Sequence, residues 1–424
     1  MEWLPSIIFT LAIIALCSSA PAEMSSSSNT SRTRGLQKSN TENYGIRNTF
    51  LHDTETAVND NNGDEQGQND CQDTESNLSS SSSSAMTTIT SQAACLQSQS
   101  PPSIIEESSL KSWDLDILKQ SKENLVDIIL QIFVYYNLCE RFGIPDSTLR
   151  NMIVTVQEHM PDNPYHNFHH VASVVHFSFL ILSVGEADRY LTDRDIFAIL
   201  FATLIHDLDH PGNNNGFEVK TQSQLALKYG NESILENYAI DSAFKLMNED
   251  VDLNVFNNVG GDDSEYIMNA IRNAVLYTDM SKHFELMKRV MTLAEKGPVS
   301  CAILEEDEAA RQTLIQLIVH ASDISGPGLP VFELFQNWSV RVCDEFSQQV
   351  DKERKIGLEV TAMMAGLDNE FSIATSQVDF IRIFALPCLE IVAILFPGTS
   401  SIVTNCLDNS RIWQGIADNS SPNT

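Results

Sequence analysis

The stretch Asp195-Ile196-Phe197-Ala198-Ile199-Leu200-Phe201-Ala202-Thr203-Leu204-Ile205-His206-Asp207-Leu208-Asp209-His210-Pro211-Gly212 decides how this chain folds. From Ile196 to Ile205 it is apolar on nearly every side of a helix, a pattern that only a helix buried all round can use. Ligand-type side chains follow at once, and Pro211-Gly212 is expected to stop the helix and expose its last turn. Adjacent helical residues point about 100° apart. His206 and Asp207 can therefore face one ion only where the helix ends.

Similar patterns recur along the chain. Asn124–Phe133 and Thr313–Val319 are long apolar or amphipathic runs, while strand alternation with turn pairs is scarce. The fold class expected is all-α: one multi-helix domain over residues 106–415, near the upper size for a single unit at roughly 300 residues. Residues 23–105 are rich in Ser, Asn and Asp and include the run Ser79–Ser84. They hold too few large apolar side chains to offset the entropy of ordering and read as a disordered segment. Residues 416–424 read as a disordered C-terminal tail.

Two more clusters carry the same chemistry. One is Asn163-Pro164-Tyr165-His166-Asn167-Phe168-His169-His170, the other His320-Ala321-Ser322-Asp323. Pro164 follows Asp162 and Asn163, both good N-caps, so a helix is predicted to start there with His166 and His170 on one face. One of the two would ligate while the other faces substrate; His169 competes with His170, and spacing does not separate them. Imidazole and carboxylate suit Zn²⁺, whereas Mg²⁺ or Mn²⁺ prefers carboxylate and water. A mixed set can hold two different ions, with Asp207 the candidate to bridge them. His52, His159 and His176 read as ordinary hydrogen-bonded histidines.

Six segments in order now carry a family resemblance: Tyr165-His166-Asn167-x-x-His170, His206-Asp207-x-x-His210-Pro211-Gly212-x-x-Asn215-x-Phe217, Leu235-Glu236-Asn237, Thr278-Asp279-Met280-x-x-His283-Phe284, Ala321-x-Asp323-Ile324 and Ser376-Gln377-Val378-x-Phe380-Ile381. From about Trp113 to Trp413 the chain resembles the catalytic domain of class I 3′,5′-cyclic-nucleotide phosphodiesterases, within the HD metal-phosphohydrolase group. The resemblance implies that His170, His206, Asp207 and Asp323 bind Zn²⁺, with Asp207 shared by a second ion, Mg²⁺ or Mn²⁺. His210, Glu236 and Thr278 would order waters around that ion. A water between the ions, its pKa lowered from ~15.7 toward ~7, would attack phosphorus as hydroxide, and His166 would be the general acid at the 3′-oxygen. The base of cAMP or cGMP would meet Gln377, between Phe380 and Val342, with Tyr165 also at the substrate site.

Departures from the family pattern are Tyr238-Ala239 after the Leu-Glu-Asn motif, Gly326 where cAMP-selective members often carry Asn, Thr361–Ala365 in place of Ser-Pro-x-x-Asp, and Tyr277 for a common Ala. They remove no proposed ligand, and Gly326 tilts the expectation toward cGMP or dual use. Two other readings share the same residues. One is an HD phosphohydrolase acting on other nucleotides, the other a catalytically impaired cyclic-nucleotide binder.

The net charge of −31 argues against nucleic acid as a partner, since association with it relies on basic patches. An anionic small substrate is still compatible, because two divalent ions outweigh nearby carboxylates locally. Residues 1–22 contain an apolar run, Ser6–Leu16, ahead of Ala20-Pro21-Ala22. They read as a signal peptide lacking its basic start, a membrane anchor or an incorrect start. Membrane association is expected only through residues 5–20. The eight cysteines have no regular spacing and suit reduced thiols, hence a cytoplasmic or cytosol-facing enzyme.

Overall fold

Apolar residues at helical spacing and well-formed caps give twelve helices of ten residues or more in the computed structural model, which describes residues 105–300 and 307–420. They are α1 (Lys122–Tyr135), α2 (Asp146–His159), α3 (Phe168–Ser183), α4 (Asp193–Ile205), α5 (Ile234–Glu249), α6 (Gly261–Leu276), α7 (His283–Ala294), α8 (Glu308–Asp323), α9 (Phe332–Ile356), α10 (Glu370–Phe380), α11 (Leu386–Leu395) and α12 (Ser401–Asn419). No strand occurs among the described residues, as the all-α expectation requires. The proposed disordered segment and the apolar N-terminus, apart from Ile105, lie outside them. The last helix runs to Asn419, past the boundary expected at residue 415, because Trp413 and Ala417 are buried on its inner face.

Helix α4 is the hub. Every side chain from Asp195 to Ile205 is buried, and the helix packs against α3, α6 and α8. Burying each of its large apolar side chains contributes about 1.5–3 kcal/mol. Its start is fixed by a capping box in which Thr192 and Asp195 satisfy each other's backbone N–H groups. Its end comes earlier than Pro211-Gly212: helical geometry stops at Ile205, with turns through 206–209 and Asp209 left-handed at φ 62°. His206 and Asp207 therefore stand where the chain leaves the helix.

The predicted start of α3 also moves. The helix begins at Phe168, because the Asn167 side chain accepts from the N–H groups of His169 and His170. The N–H groups of Tyr165 and His166 go elsewhere, both to Glu345 Oε2 of α9, at 2.9 and 3.0 Å. His166 consequently lies outside the helix that carries His170. Helix α10 runs into α11 through a π-helical segment, Ile381–Ala385. Pro387 in the first turn of α11 has no N–H to return to the preceding turn, which loosens the helical register there.

The four cysteines among the described residues are free and buried. No helix of the described residues is long and apolar enough to cross a membrane.

Candidate metal centre

Three helix ends meet at one place. His170 comes from the first turn of α3, His206 and Asp207 from the end of α4, and Asp323 is the last residue of α8. Their ligand atoms lie within 4.8 Å of one another. His170 Nε2 is 3.0 Å from Asp323 Oδ1 and 3.4 Å from Asp207 Oδ2, and His206 Nε2 is 3.2 Å from Asp207 Oδ2. His169 does not join them: its Nε2 reaches the backbone oxygen of Gln120 at 3.1 Å. The sequence left these two histidines undecided, and the turn of the helix separates them.

The donor set fits a divalent ion. His206 Nδ1 lies 2.9 Å from the carbonyl of Thr203, which can only accept, so Nδ1 carries the proton and Nε2 presents a lone pair. That Nε2 and Asp207 Oδ2 are both buried without a hydrogen-bond partner. Orphaned buried polar atoms are costly, and a cation between them removes the cost. Burial favours protonation of Asp207 and Asp323, but the surrounding imidazoles outweigh it and hold both carboxyls below their usual range, ionised as ligands must be.

Asp207 also belongs to a second group, with His166 and His210. The rings of His166 and His210 stack with centroids 4.0 Å apart and 26° between planes. His210 Nδ1 accepts from the N–H of Gly212 at 3.1 Å, so its Nε2 bears the proton. Burial, reinforced by His166, lowers its pKa to about 3. Neutral His210 is thus a donor suited to a water or a phosphate oxygen. His166 Nδ1 lies 2.5 Å from Glu345 Oε1. Burial is the largest single influence on His166 and disfavours its charged form, yet Glu345, Asp207 and Asp323 together raise its pKa to about 9.

Glu236 lies near enough to Asp207 for the two carboxylates to repel, and Thr278 follows the end of α6. Asn215 Nδ2 donates to both oxygens of Glu236, at 3.2 and 2.9 Å. Burial, with Asp279 beside it, raises that carboxyl to about 7. Asn215 is thus the hydrogen-bond partner of Glu236. Tyr238 instead faces the ring of Tyr229 at 6.5 Å. Thr278 is buried, its hydroxyl donating to Val275 O at 2.8 Å. His176 and His159 behave as ordinary histidines: His176 reaches Leu110 O at 2.8 Å and His159 pairs with Asp209 at 3.1 Å.

Ser339 Oγ of α9 meets Gln377 Oε1 of α10 at 3.0 Å, one residue on from Trp338, whose ring lies 6.2 Å from that of His170. Val342 and Phe380 each follow one of this pair by three residues, hence on the same helix faces, and both are half-buried. A Cβ at Gly326 would stand 3.3 Å from the Phe335 ring, so that ring covers the position. Tyr165 packs between His170 and Trp338, with centroids at 4.5 and 5.8 Å.

Sequence reasoning missed Glu345 and Ser339, and named Asn215 within a motif without giving it a role. One signal was present for the first: Glu345, Gln349 and Glu353 recur every four residues and are all buried, a polar stripe on the face that an amphipathic helix should keep apolar. Ser339 carries no such mark.

Comparison with known proteins agrees with this geometry. A family model described as 3′5′-cyclic nucleotide phosphodiesterase matches residues 165–406. Over 308 residues, 71% of this chain, the chain is 32% identical to 3′,5′-cyclic-AMP phosphodiesterase 4C of Rattus norvegicus and 33% identical to that of Mus musculus. It spans 57% and 44% of those relatives' lengths, about half. Among solved structures, the phosphodiesterase domain of Salpingoeca rosetta rhodopsin phosphodiesterase superposes with a TM-score of 0.70 at 30% identity, covering 75% of this chain and 96% of that one. With the matched region enclosing both ligand groups, the acid candidate and the glutamine, the chain belongs to the 3′5′-cyclic nucleotide phosphodiesterase family.

Proposed function

We propose that the protein hydrolyses 3′,5′-cyclic nucleotides, both cAMP and cGMP, to 5′-monophosphates. The observation that carries this reading is the pair of ligand groups sharing Asp207. Zn²⁺ is assigned to His170, His206, Asp207 and Asp323, and Mg²⁺ or Mn²⁺ to the side of Asp207 facing His210, Glu236 and Thr278. Divalent ions there supply positive charge against the phosphate and acidify water, whose pKa falls from ~15.7 toward ~7.

The chain's own side chains do the rest. His166 Nδ1 is engaged by Glu345, so the proton available for transfer is on Nε2, and it goes to the 3′-oxygen as the P–O3′ bond breaks. Neutral His210 donates from Nε2 without adding a second positive charge beside His166. Phe380 and Val342 clamp the flat base, and Gln377 reads its edge.

Ser339 bears on which base is accepted. Its Oγ is 3.0 Å from both Phe335 O and Gln377 Oε1, and one hydroxyl proton serves only one of them. With the proton on Phe335 O, the same oxygen accepts from a turned-over Gln377 amide. One amide orientation suits N1 and N6 of adenine, the other N1 and O6 of guanine. The two differ by about one neutral hydrogen bond, ~0.5–1.5 kcal/mol, so turnover of the two substrates is expected within about tenfold. A side-by-side assay of purified full-length protein on cAMP and cGMP, with and without added Mg²⁺ and with a chelator, checks this. Failure to form 5′-monophosphate from either substrate in the presence of metal would overturn the proposal; turnover of one alone would remove the account of Ser339.

Glu345 gives a pH prediction. A general acid works while protonated, so the Glu345 carboxylate, which favours the charged form of His166, extends activity to the alkaline side, and activity is lost as pH rises through the His166 pKa. In Glu345→Gln the negative charge is gone, and the alkaline limb of the kcat profile is expected at lower pH than in wild type. An unmoved limb would detach Glu345 from the acid.

A further inference from the structure

Asn163 belongs to neither ligand group, and its sequence reading as a helix N-cap does not hold, since α3 starts at Phe168. Its side chain does something else. Asn163 Nδ2 donates to the backbone oxygen of His166 at 2.9 Å and to that of His210 at 2.8 Å. A carboxamide nitrogen has two hydrogens, so one group joins two segments that are 44 residues apart in sequence. Those segments carry the two imidazoles stacked at 4.0 Å.

The neighbours of Asn163 are arranged around it. Its own backbone oxygen accepts from Asn167 Nδ2 at 2.8 Å, and Asn167 caps the helix that holds His170. Opposite the carboxamide stands Gly212, at φ 70°, where a Cβ would come within 2.8 Å of Asn163 Oδ1. A glycine at 212 therefore serves two ends: it takes the left-handed backbone and leaves room for this amide. Neither bond is needed to build a helix, and both end on residues that face the reaction.

We infer that Asn163 is a positioning residue for catalysis, a clasp that sets His166 against His210 through their two backbone carbonyls. The inference rests on the function proposed above, in which His166 is the acid. Without the clasp, the His166 and His210 backbones lose this side-chain tie, and the place of the His166 ring relative to His210 and the 3′-oxygen is then set from the Glu345 side alone. A displacement of about 1 Å costs on the order of 10²-fold in rate.

The test separates loss of acid function from general damage by changing the leaving group. In a cyclic nucleotide whose 3′-bridging oxygen is replaced by sulfur, the bond that breaks releases a thiolate. A thiol has a pKa near ~8.5, against ~15.7 for water as a stand-in for the alcohol, so the thiolate departs without a proton from the enzyme. Full-length Asn163→Ala is expected to lose about 10- to 100-fold in kcat on the ordinary substrate, while its rate on the sulfur analogue stays within about threefold of wild type and its metal content is unchanged. Gly212→Ala, which drives a Cβ onto the Asn163 carboxamide, should show the same split and provides a second route should the first variant fold poorly. His166→Ala is the reference. Equal losses on both substrates, or no loss on either, would overturn the clasp. A split in His166→Ala with none in the Asn163 and Gly212 variants overturns the clasp alone; no split in His166→Ala overturns the acid assignment and the clasp together.

Discussion

Asp207→Ala is expected to abolish binding of both metal ions and to reduce turnover by about 10³-fold or more. Asp207 is the only residue common to the two ligand groups found among the described residues, so one substitution takes a carboxylate from each. What remains of the first group is two imidazoles and Asp323, whereas the second keeps only His166 and His210, no carboxylate at all, and His166 as the acid carries a proton on each nitrogen. His210 Nδ1 already accepts from Gly212 N–H, so it presents a proton rather than a lone pair toward that side. Loss of several kcal/mol of charge stabilisation at the phosphate corresponds to ~10³-fold in rate, at tenfold per ~1.4 kcal/mol. Metal analysis of the purified variant decides the matter. Two ions still bound would show that Asp207 bridges nothing.

His166→Ala is expected to do the opposite to metal content and nearly the same to rate. The four donors of the first group include neither His166 nor any residue hydrogen-bonded to it, so metal bound by that group should remain at wild-type occupancy. Turnover should fall by about 10²- to 10⁴-fold, the usual contribution of a positioned acid. Glu345 accepts from Tyr165 N and His166 N as well as from the His166 ring, so the backbone of this segment stays anchored when the ring is removed. KM should consequently change far less than kcat. Full activity in this variant would leave the 3′-oxygen without its proton donor and remove His166 from the mechanism.

The two variants together divide the site along a line that only partly showed in the sequence. Metal-ligand types were legible because they occur where the chain must leave a helix. His206 and Asp207 are adjacent, Asp323 ends α8, and His170 lies in the first turn of α3. Such positions announce themselves as polar residues at the end of an apolar run. The start of α3 was misjudged for a related reason. Pro164 after Asp162 and Asn163 has every local feature of a helix start, yet Glu345 of α9 takes the two N–H groups that such a start would have had to satisfy. A contact across 179 residues overrides a local propensity worth about 1 kcal/mol.

That this protein is all-helical, that a buried apolar helix runs out into His206 and Asp207, and which residue types gather at the candidate metal centre are all legible in the amino-acid sequence. Helical periodicity and ligand chemistry are local properties, readable over a few turns. Packing of the folded chain was needed to show which nitrogen of His206 and of His210 carries the proton, that Glu345 favours a charged His166, that Asn163 ties His166 to His210, and that Ser339 rather than a fixed donor meets Gln377. The proton positions rest on short-range bonds inside one turn, His206 to Thr203 and Gly212 to His210, whereas the ties made by Glu345, Asn163 and Ser339 reach segments far apart in the chain. A lone Glu, Asn or Ser on a helix or loop looks the same in sequence whether or not a partner packs against it.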